Sequence, residues 1–209
     1  YAEFIERQLE LTKTITDCGH DLYLRIATTD DFNEHISRDS KRVDKLSRCK
    51  AIITLNDAIE EEIHNCFGNA LRTEHIPNII GTTNYRKLDH QERSSAREYL
   101  GLPDNGALLL WTGRLDKRKQ LEDLLLCWHQ ADVAGNLAIT GIEFFDNDPY
   151  FKKIAAIIND VGIQNVHFKG PFLEKDMPAV YGCSDAFAFT SNREGFCNSI
   201  LEAAACKLP

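Results

Sequence analysis

What this 209-residue chain lacks closes off several classes of function. No apolar run approaches the roughly 20 residues needed to cross a bilayer, and no secretory signal precedes the first helical pattern. No Gly-x-Gly-x-x-Gly follows a strand pattern, which weakens a dinucleotide-binding reading. Seven cysteines (Cys18, Cys49, Cys66, Cys127, Cys183, Cys197, Cys206) never form Cys-x-x-Cys. That odd, dispersed set suggests reduced thiols in a cytoplasm, not a disulfide framework or a zinc site. The histidines never reach His-x-x-x-His spacing, so no metal is expected. Basic residues are in the minority: 24 Lys and Arg against 32 Asp and Glu leave a net charge of −8. This argues against a general nucleic-acid binder and supplies no basic footprint for anionic lipid, though a local basic patch stays open. Repeats and low-complexity tracts are missing as well. So is an initiator Met: the chain opens on Tyr1 and stops at Pro209, where a further strand would begin. A fragment is expected.

What is present suits a folded α/β protein, with 43% hydrophobic and 27% charged residues. Residues 1–81 predict a partial amino-terminal Rossmann-like portion. It holds a helix over 1–18, strands at Asp21–Ala27 and Ala51–Leu55, and a partly helical polar stretch from Thr28 to Arg48. A helix follows, capped by Asn56 or Asp57, striped by Ile59, Ile63, Cys66 and Phe67, and ended by Gly68. His75–Ile80 reads as a short strand entering a turn. Residues 82–106 are expected to be a linker with a short helix near Gln91–Leu100 and a Gly101-Leu102-Pro103 breaker. Residues 107–209 then alternate regularly. Strands at Ala107–Trp111, Asn136–Thr140, Val166–Lys169 and Ala186–Thr190 each precede a helix, the third one capped by Asp176 with Pro178 in its first turn. Four such units imply a parallel, doubly wound sheet, which binds ligands at the carboxyl ends of its strands.

Two segments at such ends carry candidate chemistry. Trp111-Thr112-Gly113-Arg114-Leu115-Asp116-Lys117-Arg118-Lys119 follows the first strand of the second unit. Arg offers a planar fork of donors to phosphate, and Lys a point charge. Taken alone, this is the pattern of a solvated basic loop. The last strand leads into Ser191-Asn192-Arg193-Glu194-Gly195-Phe196-Cys197-Asn198-Ser199-Ile200-Leu201-Glu202. Its two glutamates stand eight residues apart, about 12 Å if all eight are helical. A helix start lies between them, with N–H groups that favour phosphate. One carboxylate could grip sugar hydroxyls and the other those of a ribose, the diphosphate between them. Either glutamate alone reads as an exposed charge; together with Gly195-Phe196 and the cationic loop they point to a ligand.

The whole string through Leu201-Glu202-Ala203-Ala204-Ala205-Cys206-Lys207-Leu208-Pro209 resembles the Glu-x7-Glu signature of retaining family-4 glycosyltransferases, the glycosyl transferases group 1, with the GT-B fold. Gly113, Arg114, Leu115 and Lys119 match that family's Gly-Arg-Leu-x-x-x-Lys-Gly segment. Lys207 stands where Gly is usual, as do Gln120 and Cys197. The resemblance covers about residues 48–209. It implies a GT-B protein with both Rossmann-like domains incomplete, transferring a sugar from a nucleotide-diphosphate donor to an acceptor hydroxyl with retention. It assigns Glu194 to the donor sugar and the reacting centre, and Glu202 to the ribose. Gly113, Arg114 and Lys119 go to the diphosphate, the amides of Phe196, Cys197, Asn198 and Ser199 to sugar or phosphate, and Gly195 beside them to donor binding. Lys117 or Arg118 could assist. Phe172, after Val166-His167-Phe168-Lys169-Gly170-Pro171, could stack on the base or pack in the core. Ile76-Pro77-Asn78 resembles the family's domain crossover without its Gly. No cofactor is implied beyond the nucleotide-sugar co-substrate. The acceptor (glycan, lipid-linked or small molecule) stays open, as do a binding module without turnover, a glycogen or sucrose synthase, and a nucleotide-sugar epimerase.

Overall fold

The computed structural model describes residues 2–26, 44–81, 83–141, 148–192 and 194–209. Most of the polar stretch Thr28–Arg48, Arg193 and residues 142–147 fall outside these. The chain divides into two units, Tyr1–Asn78 with Glu194–Phe196, and Ile79–Arg193 with Cys197–Pro209.

In the first unit, helix α1 (Ala2–Asp17) precedes strand β1 (Tyr23–Ile26), strand β2 (Ala51–Thr54), helix α2 (Asp57–Phe67) and strand β3 (Thr73–His75). The strands run parallel in the order β1-β2-β3. Asn56 caps α2 by accepting from Ile59 N, and Gly68 ends it at φ +57. Ile59 and Ile63 are buried with Ile26, Leu46, Ile52, Leu55 and Leu71, Phe67 packs beside them, and Cys66 is exposed. The third strand lies earlier than expected. Ile76 N–H makes a last bond to Thr54 O at 2.9 Å, and Pro77, without an N–H, cannot continue the ladder.

The second unit opens with helix α3 (His90–Leu100), closed at its start by a capping box of Asp89 and Glu92 and at its end by Gly101 at φ +62. Strand β4 (Ala107–Thr112), helix α4 (Leu121–Ala131), strand β5 (Gly135–Thr140), helix α5 (Pro149–Val161), strand β6 (Val166–Phe168), helix α6 (Met177–Gly182), strand β7 (Ala186–Phe187) and helix α7 (Asn198–Ala205) follow. All pairings are parallel, in the order β6-β5-β4-β7. Alternate residues serve opposite faces, as a pleated strand requires. Leu108, Leu110 and Ala138 pack with Val180, Tyr181 and Ala203, whereas Trp111, Leu137 and Ile139 pack with Leu121, Leu125 and Ile154. Helices therefore cover both faces.

Two local expectations fail. Asp176 does not cap α6 with its side chain; it has helical φ/ψ at the end of a 3₁₀ turn over Glu174–Asp176 that runs into the helix. Strand β7 spans only Ala186–Phe187, short of Thr190, although Ala188 N–H still donates to Leu110 O at 2.7 Å. The stretch 82–106 is tied to the second unit by Arg97, 4% exposed, which donates to Cys183 O at 3.0 Å, Gly106 O at 3.1 Å and Asp185 Oδ2 at 2.8 Å. Burial works to raise the Asp185 pKa, but Leu108 N–H and the guanidiniums of Arg93 and Arg97 hold it below the usual range.

Candidate functional site

Strand order sets the location. The chain steps from β4 to β5 to β6 and then returns to β7 on the other side of β4. Beyond the carboxyl ends of β4 and β7 the connections diverge, which opens a crevice in a doubly wound sheet. The cationic loop leaves β4 there, and the glutamate-bearing segment leaves β7.

Backbone contact at this edge is tight. Gly113 N–H donates to Thr140 O at 3.1 Å. Gly141, at φ +83, lies so close that a Cβ on it would sit 3.1 Å from Gly113 O. A Cβ on Gly113 would meet the Trp111 ring at 3.2 Å and the Lys119 stem at 3.6 Å. Past Gly113, Arg114 is exposed while Leu115 turns inward onto the core. Asp116 begins a 3₁₀ turn over Lys117–Lys119 by accepting from Arg118 N at 2.9 Å. The Arg118 side chain donates back to Asp116 and holds its pKa down at about 2. Arg118 and Arg114 are both exposed, and Arg118 commits its guanidinium to the ion pair with Asp116 inside the loop.

The two segments are hydrogen-bonded to each other. Trp111 Nε1 donates to Thr190 Oγ1 at 3.2 Å, and Thr190 Oγ1 donates to Lys119 O at 2.6 Å. Asn192 N–H donates to Arg118 O at 3.0 Å. These bonds replace the end of the expected strand. Gln120, where the resembling family has Gly, adopts the left-handed conformation that favours glycine, φ +48 and ψ +46.

Helix α7 starts at Asn198, with Cys197 as its N-cap residue but no side-chain capping bond. Cys197 Sγ instead lies 2.8 Å from Ser199 Oγ. A cluster of first-turn N–H groups without a side-chain cap favours an anionic group. Only Asn198 to Glu202 is helical, so the helical rise between the two glutamates is about 6 Å, half that expected. Glu202 is half-buried and accepts from Tyr85 Oη at 3.1 Å. Glu194, exposed, groups with the first unit along with Gly195 and Phe196. There, Asn56 Nδ2 donates to Gly195 O, and Phe196 packs against the apolar cluster around Ile52 and Ile59.

Phe172 is half-buried against the core cluster that contains Leu102 and Tyr181. His167 pairs with Asn136 Oδ1 at 2.9 Å, and burial lowers its pKa. Sequence spacing missed one possible cation-ligand group, because its members come from α2 and β3. Asp57, Glu60 and His75 bring ligand atoms within 4.8 Å of one another. They already serve a local network: His75 Nδ1 lies 3.1 Å from Asp57 Oδ1, and Thr73 Oγ1 donates to Glu60 at 2.6 Å. Among the described residues, no helix is long and apolar enough to cross a membrane.

The family profile described as glycosyl transferases group 1 matches residues 92–209. The Alpha-galactosylglucosyldiacylglycerol synthase of Streptococcus pneumoniae (strain ATCC BAA-255 / R6) is 24% identical over 78% of this chain and 43% of its own length. Among solved structures, Anabaena Alr3699/HepE in complex with UDP and glucose superposes with a TM-score of 0.80 at 22% identity, over 95% of this chain and 54% of that one. The sucrose-phosphate synthase of Thermosynechococcus elongatus gives 0.68 at 21% identity, over 87% and 45%. The chain therefore spans about half the length of these relatives, and their GT-B architecture matches its parallel sheets.

Proposed function

Since the chain belongs to the glycosyl transferases group 1, we propose that it carries the donor-binding part of a retaining glycosyltransferase using a nucleotide-diphosphate sugar. The observation that carries this reading is the hydrogen-bonded junction of the Gly113–Gln120 loop with Thr190 and Asn192 at the sheet's switch point. Arg114 and Lys119 take the diphosphate, joined by the amides of Phe196, Cys197, Asn198 and Ser199. Glu202 takes the ribose, Glu194 the sugar and the charge that develops on it, and Phe172 flanks the base.

In the reaction, the bond from the anomeric carbon to the diphosphate breaks and one to the acceptor oxygen forms on the same face. The acceptor's proton ends on the released diphosphate or in solvent. Arginine, lysine and helix-end amides aimed at the departing phosphate stabilise that charge without having to reorganise. The free thiols, three of them exposed, fit a cytoplasmic setting. The pneumococcal relative's name makes a glycosylated diacylglycerol the first acceptor to try, with UDP-glucose as a first donor.

Calorimetric titration with UDP, ADP and GDP tests the donor site. Arg114→Ala and Glu202→Ala should each weaken binding, by about tenfold for a lost charge-assisted bond, with unchanged circular dichroism. Wild-type affinity in both variants would reject it. A binding module without turnover is separated by incubating the chain with labelled donor and acceptor.

A further inference from the structure

Glu202 has a partner from outside the family signature, and the inference drawn from it rests on the ribose role proposed above. The segment between the two units' sheets runs over α6 at a place where only glycine fits. A Cβ on Gly182 would come within 2.8 Å of Leu88 Cγ and 2.9 Å of Arg86 O, and Leu88 N–H donates to Gly182 O at 3.4 Å. This fixes Tyr85 against the helix. Its ring centroid stands 6.0 Å from that of Tyr181, which in turn stands 5.7 Å from Phe187. From that stack the Tyr85 hydroxyl reaches Glu202 Oε1 across 117 residues of sequence. The Tyr181 hydroxyl is fully buried and makes no hydrogen bond of ordinary geometry among the described residues.

We propose that Tyr85 is a positioning residue for nucleotide recognition, holding Glu202 Oε1 so that Oε2 is aimed at a ribose hydroxyl. A carboxylate on a half-exposed helix can rotate, and a rotating acceptor discriminates poorly between sugars. Tyr85 removes that freedom from one side, and the wall formed by Tyr181 and Phe187 fixes Tyr85 itself. Burial, and then the neighbouring Glu202, push both phenols above the ordinary range. The consequence is selectivity. A site that hydrogen-bonds a hydroxyl rejects the analogue lacking it, and that rejection is sharpest when the acceptor is held still.

The test is calorimetry on the 209-residue chain with UDP, ADP and GDP, each beside its 2′-deoxy form. The wild type should prefer a ribonucleotide, and Glu202→Ala should abolish the preference. Tyr85→Phe, which keeps the ring, should weaken the ribonucleotide about five- to tenfold. It should leave the 2′-deoxy form nearly unchanged and shift the thermal midpoint by no more than about 2 °C. Adding Tyr85→Phe to Glu202→Ala should change nothing further. Wild-type preference in Tyr85→Phe would reduce Tyr85 to a tether for the segment. Preference that survives Glu202→Ala, or no binding of any nucleotide, would instead remove the ribose reading and this inference with it.

Discussion

Replacing Lys207 by glycine should stabilise the protein, and the size of the gain can be worked from the end of α7. Lys207 lies just past the helix at φ +57. Its N–H bonds Ala204 O at 2.9 Å, and Leu208 N–H bonds Ala203 O at 3.0 Å, the paired closure of a Schellman turn. Ala203 is 4% exposed, and Leu208 packs with it in the core, so the turn is fixed by burial on both sides. A side chain with a Cβ pays about 1–2 kcal/mol to adopt the left-handed conformation. Glycine returns about 0.5–1 kcal/mol of that through its greater freedom in the unfolded chain. A net gain of about 0.5–1 kcal/mol remains, equivalent to about 1–4 °C in Tm for a chain of this size. Lys207→Ala is the control: it removes the same exposed amine but keeps the Cβ, so it should gain nothing. Thermal melts and urea titrations of the three proteins decide the matter. A glycine variant no more stable than the alanine variant would refute the reasoning, because relief of backbone strain is the term that favours glycine over alanine at this position.

Gln120→Gly should give a comparable gain for the same reason, additive with Lys207→Gly because the sites are separate. Arg97→Ala should cost about 3 kcal/mol in urea midpoint measurements, since it strands buried carbonyls and part of Asp185. Gly182→Ala should destabilise by about 1–3 kcal/mol through its clash with Leu88 and Arg86. Asp116 sets a pH dependence. Its pKa falls from the ordinary 3.8 to about 2 in the folded chain. The stability it contributes is therefore complete above the unfolded value and is lost as pH falls through that window. Asp116→Asn should flatten acid unfolding curves between those two values.

Much of the fold and part of the candidate site could be read locally. The unbroken apolar run Ala107–Trp111 fits a strand buried on both faces, and it could be read without any tertiary information. The Arg114 loop and the Glu202 helix follow strands in the order that brings them to one edge of a sheet. What could not be read depended on partners distant in sequence. Tyr85 shows nothing until Glu202 stands beside it. Thr190 looks like a strand residue, because its bonds to Trp111 and Lys119 form only once the sheet has reversed direction. Asp176 has the chemistry of a cap, but the preceding 3₁₀ turn gives it helical φ/ψ. The group of Asp57, Glu60 and His75 escaped spacing rules because a helix and a strand supply it jointly. Gln120 and Lys207, which stand where the resembling family has Gly, both adopt the left-handed conformation that favours glycine, so their side chains bear the strain.

A crystal structure of this chain with UDP puts the account to its most direct test. The diphosphate should lie beyond the β4 carboxyl end, within hydrogen-bond reach of Arg114 and the first turn of α7, with the ribose on Glu202. UDP bound away from both the Gly113–Gln120 loop and Glu202, or no nucleotide at that edge under saturating conditions, would contradict it.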